Sequence, residues 1–536
     1  MKDYPVNQRT IGRILADKAA TVGSRPWLQW DGQTYDYASL EDTTNRYANS
    51  LKALGIGRGD HVAVMLPNGP EFMWLIWGLG KIGAVAVPLN TAAKGELLRY
   101  FLEQSDSSWV AVHADFASRV AEVAAQVPGL RGVLHMGHDA DSAFGSQWAK
   151  VALSELQQGA SHAPPIDAIS ASDMHLIMYT SGTTGPSKGV MSPHSQGHGV
   201  GRSLAMRYGY RTDDVLYVSL PLFHGNALWY SMYAALWADA SVGLSPRFSV
   251  SQFWDDVIRF GATQFNALGA MLNILWQLPP TPQEKNNRLR QSMVVPVPKA
   301  IYHEYQDRYG VTITSVYAMT ENFAMTLFTP EDPPAKAGSA GRPSAGVQLR
   351  IIDEQEQTLP AGEVGEICMR TDEPGDVMLG YYKMPEATAH EWRGGWFHTG
   401  DRGYLDSDGY LFFVDRKKEA IRRRGENISA YEVELILSRH PAVLEAAAVP
   451  VSSEMSEDEV MVYVVRQPNA HVTEAELVAF ANDNMAYFMV PRFVAFIDAL
   501  PKTPSEKIEK YKLKQDAQAR RDQLWDREKV GIKVHR

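Results

Sequence analysis

Val62-Ala63-Val64-Met65 and Ala84-Val85-Ala86-Val87 are short apolar runs, and helix-period stretches such as Gly95 to Gln104 alternate with them. That alternation, from Asp60 to about Val112, predicts α/β layers with a largely parallel sheet. The most apolar segment, Phe72 to Asn90, is interrupted by Lys81, three glycines and Pro88. A membrane span needs about 20 mostly apolar residues, so the segment reads as a core helix followed by a buried strand, with no membrane span. Polar, proline-containing loops at Gly159 to Asp173 and Thr329 to Gly346 follow, the second resembling a boundary between subdomains. After Asp401, the turn Ser407-Asp408-Gly409 leads into the strand-like Tyr410-Leu411-Phe412-Phe413-Val414 and then the charge run Asp415 to Arg424, where an interdomain hinge is expected. Beyond it helix and strand alternate again, with Ser429 and Glu432 spaced as a capping box before Val433-Glu434-Leu435-Ile436-Leu437.

At 536 residues the chain exceeds one typical domain of roughly 100–200 residues. Hydrophobic residues at 45% and charged residues at 21% are globular values that set aside disorder and fibrous repeats. The net charge of −10 argues against a dedicated nucleic-acid binder, so any polyanionic ligand must be met by local basic groups. Cys368 is the only cysteine; it sits in the strand-like Gly365-Glu366-Ile367-Cys368-Met369-Arg370 and reads as a buried bystander. Met1-Lys2-Asp3-Tyr4-Pro5 lacks the apolar run of a secretory signal, which makes the cytoplasm the expected compartment. A homodimer is the default among soluble oligomers.

The chemistry begins where Met174-His175-Leu176-Ile177-Met178-Tyr179 runs into Thr180-Ser181-Gly182-Thr183-Thr184-Gly185-Pro186-Ser187-Lys188-Gly189. Hydroxyls, glycine amides and one lysine on a turn are what a nucleotide's phosphates require: donors that approach closely, plus a point charge. A polar surface turn is the simpler reading, since Ser, Thr and Gly abound in loops. So long a run directly after an apolar strand favours the phosphate cradle. The Gly-x₄-Gly-Lys-Ser/Thr spacing is missing, which argues against a kinase or P-loop ATPase.

This segment resembles the phosphate loop of the acyl-adenylate-forming superfamily, which includes acyl-CoA synthetases, luciferases and peptide-synthetase adenylation domains. Tyr317-Ala318-Met319-Thr320-Glu321 resembles the family's Tyr-Gly-x-Thr-Glu, whose threonine contacts phosphate and whose glutamate reaches Mg²⁺. Trp396-Phe397-His398-Thr399-Gly400-Asp401 resembles the segment whose aspartate holds the ribose hydroxyls. Asp415-Arg416-Lys417-Lys418 followed by Arg424-Gly425-Glu426-Asn427 resembles the hinge and the loop after it, and Pro501 to Ile508 resembles the terminal Pro-Lys-Thr-x-Ser-Gly-Lys-Ile. Pro221-Leu222-Phe223-His224 matches the segment in which an aromatic or histidine gates the acyl site. Five motifs in register, besides Pro221 to His224, make the resemblance specific.

The resemblance implies an α/β fold: a large N-terminal domain of several subdomains with mainly parallel sheets, residues 1–416, and a small mobile α+β C-terminal domain, residues 417–536. It implies an ATP- and Mg²⁺-dependent ligase that adenylates a small-molecule carboxylic acid and transfers the acyl group to coenzyme A. Thr180, Ser181, Gly182, Thr183, Thr184, Gly185 and Lys188 would then meet phosphates. Tyr317 and Asp401 would serve the nucleoside, Arg416 the ribose or a phosphate, and Glu321 the Mg²⁺. Thr320 and Lys507 would serve adenylation, where charge must be neutralised before a carboxylate can attack phosphate. His224 would gate the acyl site, Gly425 and Glu426 would serve thioester formation, and Lys418 would be the pivot.

Three departures stand out. Ala318 replaces a glycine, Glu506 puts a negative charge beside Lys507, and Ser292-Met293-Val294-Val295-Pro296-Val297-Pro298 puts bulk where relatives carry Ser-Gly-Gly-Ala-Pro-Leu, reshaping the floor of the acyl pocket. The pocket is expected to draw on His224, Trp229, Tyr230 and the Asn266 to Met271 stretch. His194 and His198, at i and i+4, read as solvated helix residues rather than a zinc pair, because no third ligand is near. Arg422-Arg423-Arg424 suits either coenzyme A phosphates or simple solvation of the small domain. The competing readings are loading of an acyl or amino-acyl group onto a carrier protein, a luciferase-like oxygenase, and a non-catalytic binding protein. The acidic group that amino-acid activators need is missing from Ser219 to His224.

Overall fold

A computed structural model describes residues 2–180, 186–295, 297, 301–371, 377–416, 420–453, 457–501 and 508–534. Ser181, Gly182, Thr183, Thr184, Gly185, Lys418 and Lys507 lie outside the described residues, as do Pro296, Pro298 and Glu506; of Arg416 the backbone alone is described.

The apolar run around Val62 forms strand His61–Met65, buried at every position, as a strand covered on both faces must be. It lies between Val85–Pro88 and Ser107–His113, parallel to both. Helix Pro70–Lys81 starts with proline at its first turn and is buried at every described position but Glu71, which explains why it is apolar all round. Its one buried cation, Lys81, is tolerated because Nζ reaches Glu41 Oε2 at 2.5 Å and Asn45 Oδ1 at 2.6 Å. Helix Gly95–Gln104 falls where its periodicity predicts. Among the described residues no helix is long and apolar enough to cross a membrane.

Two large sheets form the N-terminal domain. In the first, described strands Thr312–Met319, Gln291–Val295, Gln264–Leu268, Val215–Val218, Ser241–Leu244 and Pro26–Trp30 lie parallel in that order, with antiparallel strands at both edges. In the second, Met174–Thr180 joins the parallel array through Val85–Pro88 and pairs antiparallel with Lys188–Pro193. An antiparallel sheet follows the proline-rich loop and carries strands Val347–Ile352, Gly365–Thr371, Phe397–Leu405 and Leu411–Arg416. The mainly parallel α/β expectation is borne out.

The small C-terminal domain is a sheet of Val443–Ser452, Asp458–Arg466, Phe493–Phe496 and Trp525–Asp526, preceded by the hairpin Ala420–Arg423 and Glu426–Ser429. Alternate residues of its strands divide between two cores, as the period of two requires. Ala446, Ala448, Val460 and Val462 join a core that also holds Leu97, Leu98 and Phe101 of the large domain. Ala447, Val449, Met461 and Tyr463 pack on the opposite face with Leu500, Leu513 and Ala517.

Candidate active site

A cavity of about 1070 Å³ opens where the sheets and the small domain meet. The elements reach it in a way the local sequence explains. Thr180 ends the strand Met174–Thr180. Thr320 and Glu321 are the two turn residues between antiparallel strands Thr312–Met319 and Asn322–Phe328, with Met319 opposite Asn322. Arg424 and Gly425 turn the hairpin in which Arg423 pairs with Glu426, at φ +54° and +80°. Positive φ at both central residues is the type I′ arrangement that fits strand twist. Thr180, Lys188, Thr320, Glu321, Asp401, His224, Gly425 and Glu426 all line the one cavity, so the structure gathers residues spread from position 180 to position 426.

On the nucleotide side, Asp401 is buried and Oδ2 accepts a 2.8 Å hydrogen bond from the Tyr317 hydroxyl. Asp401 also pairs across the strands with Arg416. A buried carboxylate steadied by Tyr317 and facing the cavity suits the ribose hydroxyls of a nucleotide. Glu321 is buried and Oε1 accepts from the Tyr381 hydroxyl at 2.8 Å. Burial pushes its carboxyl pKa up, and Tyr381 and Lys188 oppose that. Lys188 Nζ sits 3.1 Å from Glu391 Oε1 and 4.5 Å from the centre of the Tyr381 ring. No group of three or more His, Cys, Asp or Glu among the described residues is placed to hold a metal ion. One carboxylate is nevertheless enough for Mg²⁺, which keeps waters and substrate phosphates as its other ligands, so Glu321 fits that ion.

On the acyl side, His224 precedes a short helix that continues through a π-helical stretch, Leu228–Tyr233, into Ala234–Ala238. Its Nε2 lies 3.1 Å from Glu426 Oε2 of the small domain. The side chain is enclosed by protein yet 44% accessible, because it faces the cavity. Enclosure would lower its pKa, but Glu426 reverses the effect and leaves it raised. Gly425 approaches so closely that a Cβ there would stand 2.3 Å from Leu268 Cδ1.

Of the residues expected to form the acyl wall, His224, Tyr230, Leu268 and Met271 line the cavity, as do Phe223, Ile274 and Val295. Trp229 does not belong to that wall; it is fully buried core. Asn266 turns aside to Asn226 Oδ1 at 2.9 Å and Ser231 Oγ at 3.1 Å. Met293 is a buried strand residue, and the bulk of that segment reaches the cavity through Val295.

Other expectations need correction. His194 and His198 are buried rather than solvated: His194 stacks on His175 at 4.4 Å, and His198 meets the Tyr4 ring edge-on. A glycine- and histidine-rich helix looks polar in sequence, but it runs through the core between two sheets. Arg423 is not solvated: it is buried against Glu459 and donates to the carbonyls of Phe488 and Val490. The capping box is half formed: Ser429 Oγ accepts from the Glu432 N–H at 3.3 Å, while the Glu432 carboxylate goes to Ser187. Cys368 is buried as expected, its thiol pushed up to about 12 by burial. Tyr381 and Glu391 escape the sequence reading and Glu432 reads there only as a capping residue, because only the fold brings them to Glu321, Lys188 and Ser187.

A family model described as AMP-binding enzyme matches residues 15–382, and one described as AMP-binding enzyme C-terminal domain matches residues 432–507. The chain belongs to the AMP-binding enzyme family. The relatives include a crotonobetaine/carnitine–CoA ligase of Salmonella agona, 33% identical over 517 residues that cover 95% of this chain and 99% of the relative. A double mutant of o-succinylbenzoate CoA synthetase from Bacillus subtilis, bound with its product analogue, superposes with a TM-score of 0.81 at 27% identity, covering 94% of this chain and 98% of that one. ATP-bound MatB from Rhodopseudomonas palustris superposes at 0.68 with 28% identity, covering 95% and 99%. The expectation of an acid–thiol ligase is borne out at the level of this AMP-binding family and of the ligases and synthetases it resembles.

Proposed function

We propose that this AMP-binding enzyme is an ATP-dependent carboxylic acid–CoA ligase working in two half-reactions. In the first, the acid's carboxylate oxygen bonds to the α-phosphorus of ATP and the bond to the β-phosphate oxygen breaks, giving acyl-adenylate and pyrophosphate. In the second, the coenzyme A sulfur attacks the acyl carbon and AMP leaves with the bonding electrons, giving acyl-CoA.

The observation that carries this reading is the contact of the small domain's Glu426 with His224 at 3.1 Å, inside the acyl site. The same cavity is also lined by Tyr487, Phe488, Met489, Arg492 and Glu528 of the small domain, which leaves room on that side for a long thiol such as coenzyme A to approach an acyl carbon bound beside His224.

Adenylation then calls for another placement. Leu500 and Ile508, either side of the segment that holds Lys507, pack on the face of the small sheet opposite the core shared with the large domain. A swing about Lys418, at a boundary between residues 416 and 417, would exchange Gly425 and Glu426 for Lys507. In the first half-reaction Thr180, Ser181, Gly182, Thr183, Thr184, Gly185, Lys188 and Thr320 would hold the phosphates, with Asp401, Tyr317 and Arg416 on the nucleoside. Glu321 would hold Mg²⁺, which would supply charge neutralisation at the phosphates. The wall of Phe223, Tyr230, Met271, Ile274 and Val295 suits an acid with an apolar body larger than acetate.

The test is pyrophosphate release on mixing the protein with ATP, Mg²⁺ and a panel of carboxylic acids, with and without coenzyme A. We expect acid-dependent pyrophosphate and, with coenzyme A, a thioester, with acetate a poor substrate. Pyrophosphate release with no thioester from any acid would move the acceptor elsewhere and overturn the reading.

A further inference from the structure

Glu432 occupies the third position of the small-domain helix Ala430–Leu437, where a closed capping box would return its carboxylate to the N-cap backbone. Instead Oε1 accepts from the backbone N–H of Ser187 at 2.9 Å and from the Ser187 hydroxyl. Ser187 adjoins Lys188 at the end of the stretch read as the phosphate loop, and its carbonyl is fixed by the Tyr100 hydroxyl at 2.8 Å. Glu432 is buried. Burial pushes its carboxyl up to about 7, and the two Ser187 donors oppose that rise.

Both domains meet elsewhere through Arg439 and Glu96 at 2.5 Å, but Arg439 is 42% exposed, and an exposed ion pair contributes little. The Glu432 contact is of another kind. It is buried, it uses two donors, and it lies where the first half-reaction needs donors for polyphosphate. A hydrogen satisfies one strong acceptor at a time, and two anions crowded together out of water repel. We infer that Glu432 is a positioning residue that docks the small domain for thioester formation by taking the Ser187 donors, so that docking and a bound polyphosphate exclude each other. The inference rests on the ligase reading above and adds an order to it: pyrophosphate leaves, Ser187 is freed, and Glu432 closes the arrangement that admits the thiol.

The experiment separates the half-reactions in the full-length protein. Thioester formation is measured from chemically prepared acyl-adenylate and coenzyme A, with metal chelated so that the adenylate is not returned to ATP, and adenylation is measured by ATP–pyrophosphate exchange. For Glu432→Ala we expect the rate at saturating coenzyme A to fall about tenfold or more, with exchange within about twofold of wild type. Glu432→Gln, which keeps an acceptor for Ser187, should recover part of the loss. Ser187→Ala added to Glu432→Ala should cost the thioester step little more, because the partner is already gone. In the chelated assay inorganic pyrophosphate should inhibit wild type, and at a concentration several-fold lower in Glu432→Ala. Equal losses in both half-reactions, an unchanged thioester rate, or unchanged pyrophosphate sensitivity would overturn the positioning role. If Glu432→Ala does not fold, the Gln variant is read the same way, with a partial loss confined to the thioester step as the expected result. Wild type making no thioester at all would instead strike the ligase reading, and this inference with it.

Discussion

Nε2 of His224 and Oε2 of Glu426 stand 3.1 Å apart, although 202 residues and a domain boundary in the expected hinge region separate them. Glu426 is what holds the His224 pKa above its ordinary value against the opposing effect of enclosure. Because the docked pKa is raised, the pair favours docking below about pH 6.5, and its contribution fades as pH rises through the raised value. In Glu426→Gln we expect the ring to titrate below 6.5, followed by nitrogen NMR of the imidazole. A His224 pKa unchanged by the substitution would show that the two residues do not meet in solution.

Gly425 combines φ of +80° with a Cβ position 2.3 Å from Leu268 Cδ1. Left-handed backbone costs an ordinary residue roughly 1–2 kcal/mol, and Leu268 must also move. For Gly425→Ala we therefore expect thioester formation from supplied acyl-adenylate to slow by roughly 5- to 30-fold while ATP–pyrophosphate exchange is preserved. Equal effects on both would place this turn outside the second half-reaction.

Glu321 is a buried carboxylate held by Tyr381. An amide is a poor substitute for hard carboxylate oxygen, so Glu321→Gln should raise the Mg²⁺ concentration needed for half-maximal exchange by about tenfold or more. Thermal unfolding should shift little, since the neutral group is easier to bury than a carboxylate. A Mg²⁺ titration matching wild type would remove Glu321 from the metal's surroundings.

His175, His194 and His198 are buried with their pKa values pushed down by burial, His194 and His198 to about 3. The unfolded chain binds these protons near pH 6.5 and the folded protein does not, so stability is intact above 6.5 and is lost as pH falls toward 3. Each histidine costs about 1.4 kcal/mol per pH unit within that window. Glu432 acts in the opposite sense, its raised pKa favouring the folded state at low pH and losing that contribution as pH rises through about 7. Urea denaturation from pH 7 to 5 should show a steep loss of stability corresponding to an uptake of more than one proton on unfolding. A flat profile would mean that the histidines are hydrated in solution.

The sequence by itself determined what depends on neighbours in the chain. The all-buried run His61–Met65, the all-round apolar helix Pro70–Lys81 and the helix Gly95–Gln104 follow from periodicity. The site residues are named only through the resemblance of their motifs, and of those described Thr180, Lys188, Thr320, Glu321, Asp401, His224, Gly425 and Glu426 line the cavity. Tertiary structure decided whatever depends on which groups share a space. His194 and His198 look polar in a Gly-rich helix, yet they are core because that helix is sandwiched between sheets. Trp229 and Tyr230 are adjacent in sequence, but one fills the core while the other meets the cavity. Glu432 carries a capping signature that is local, and its carboxylate is claimed by Ser187, 245 residues away. A local pattern fixes the backbone of a helix start, whereas the better partner for a buried carboxylate is chosen only when two domains exclude water around it.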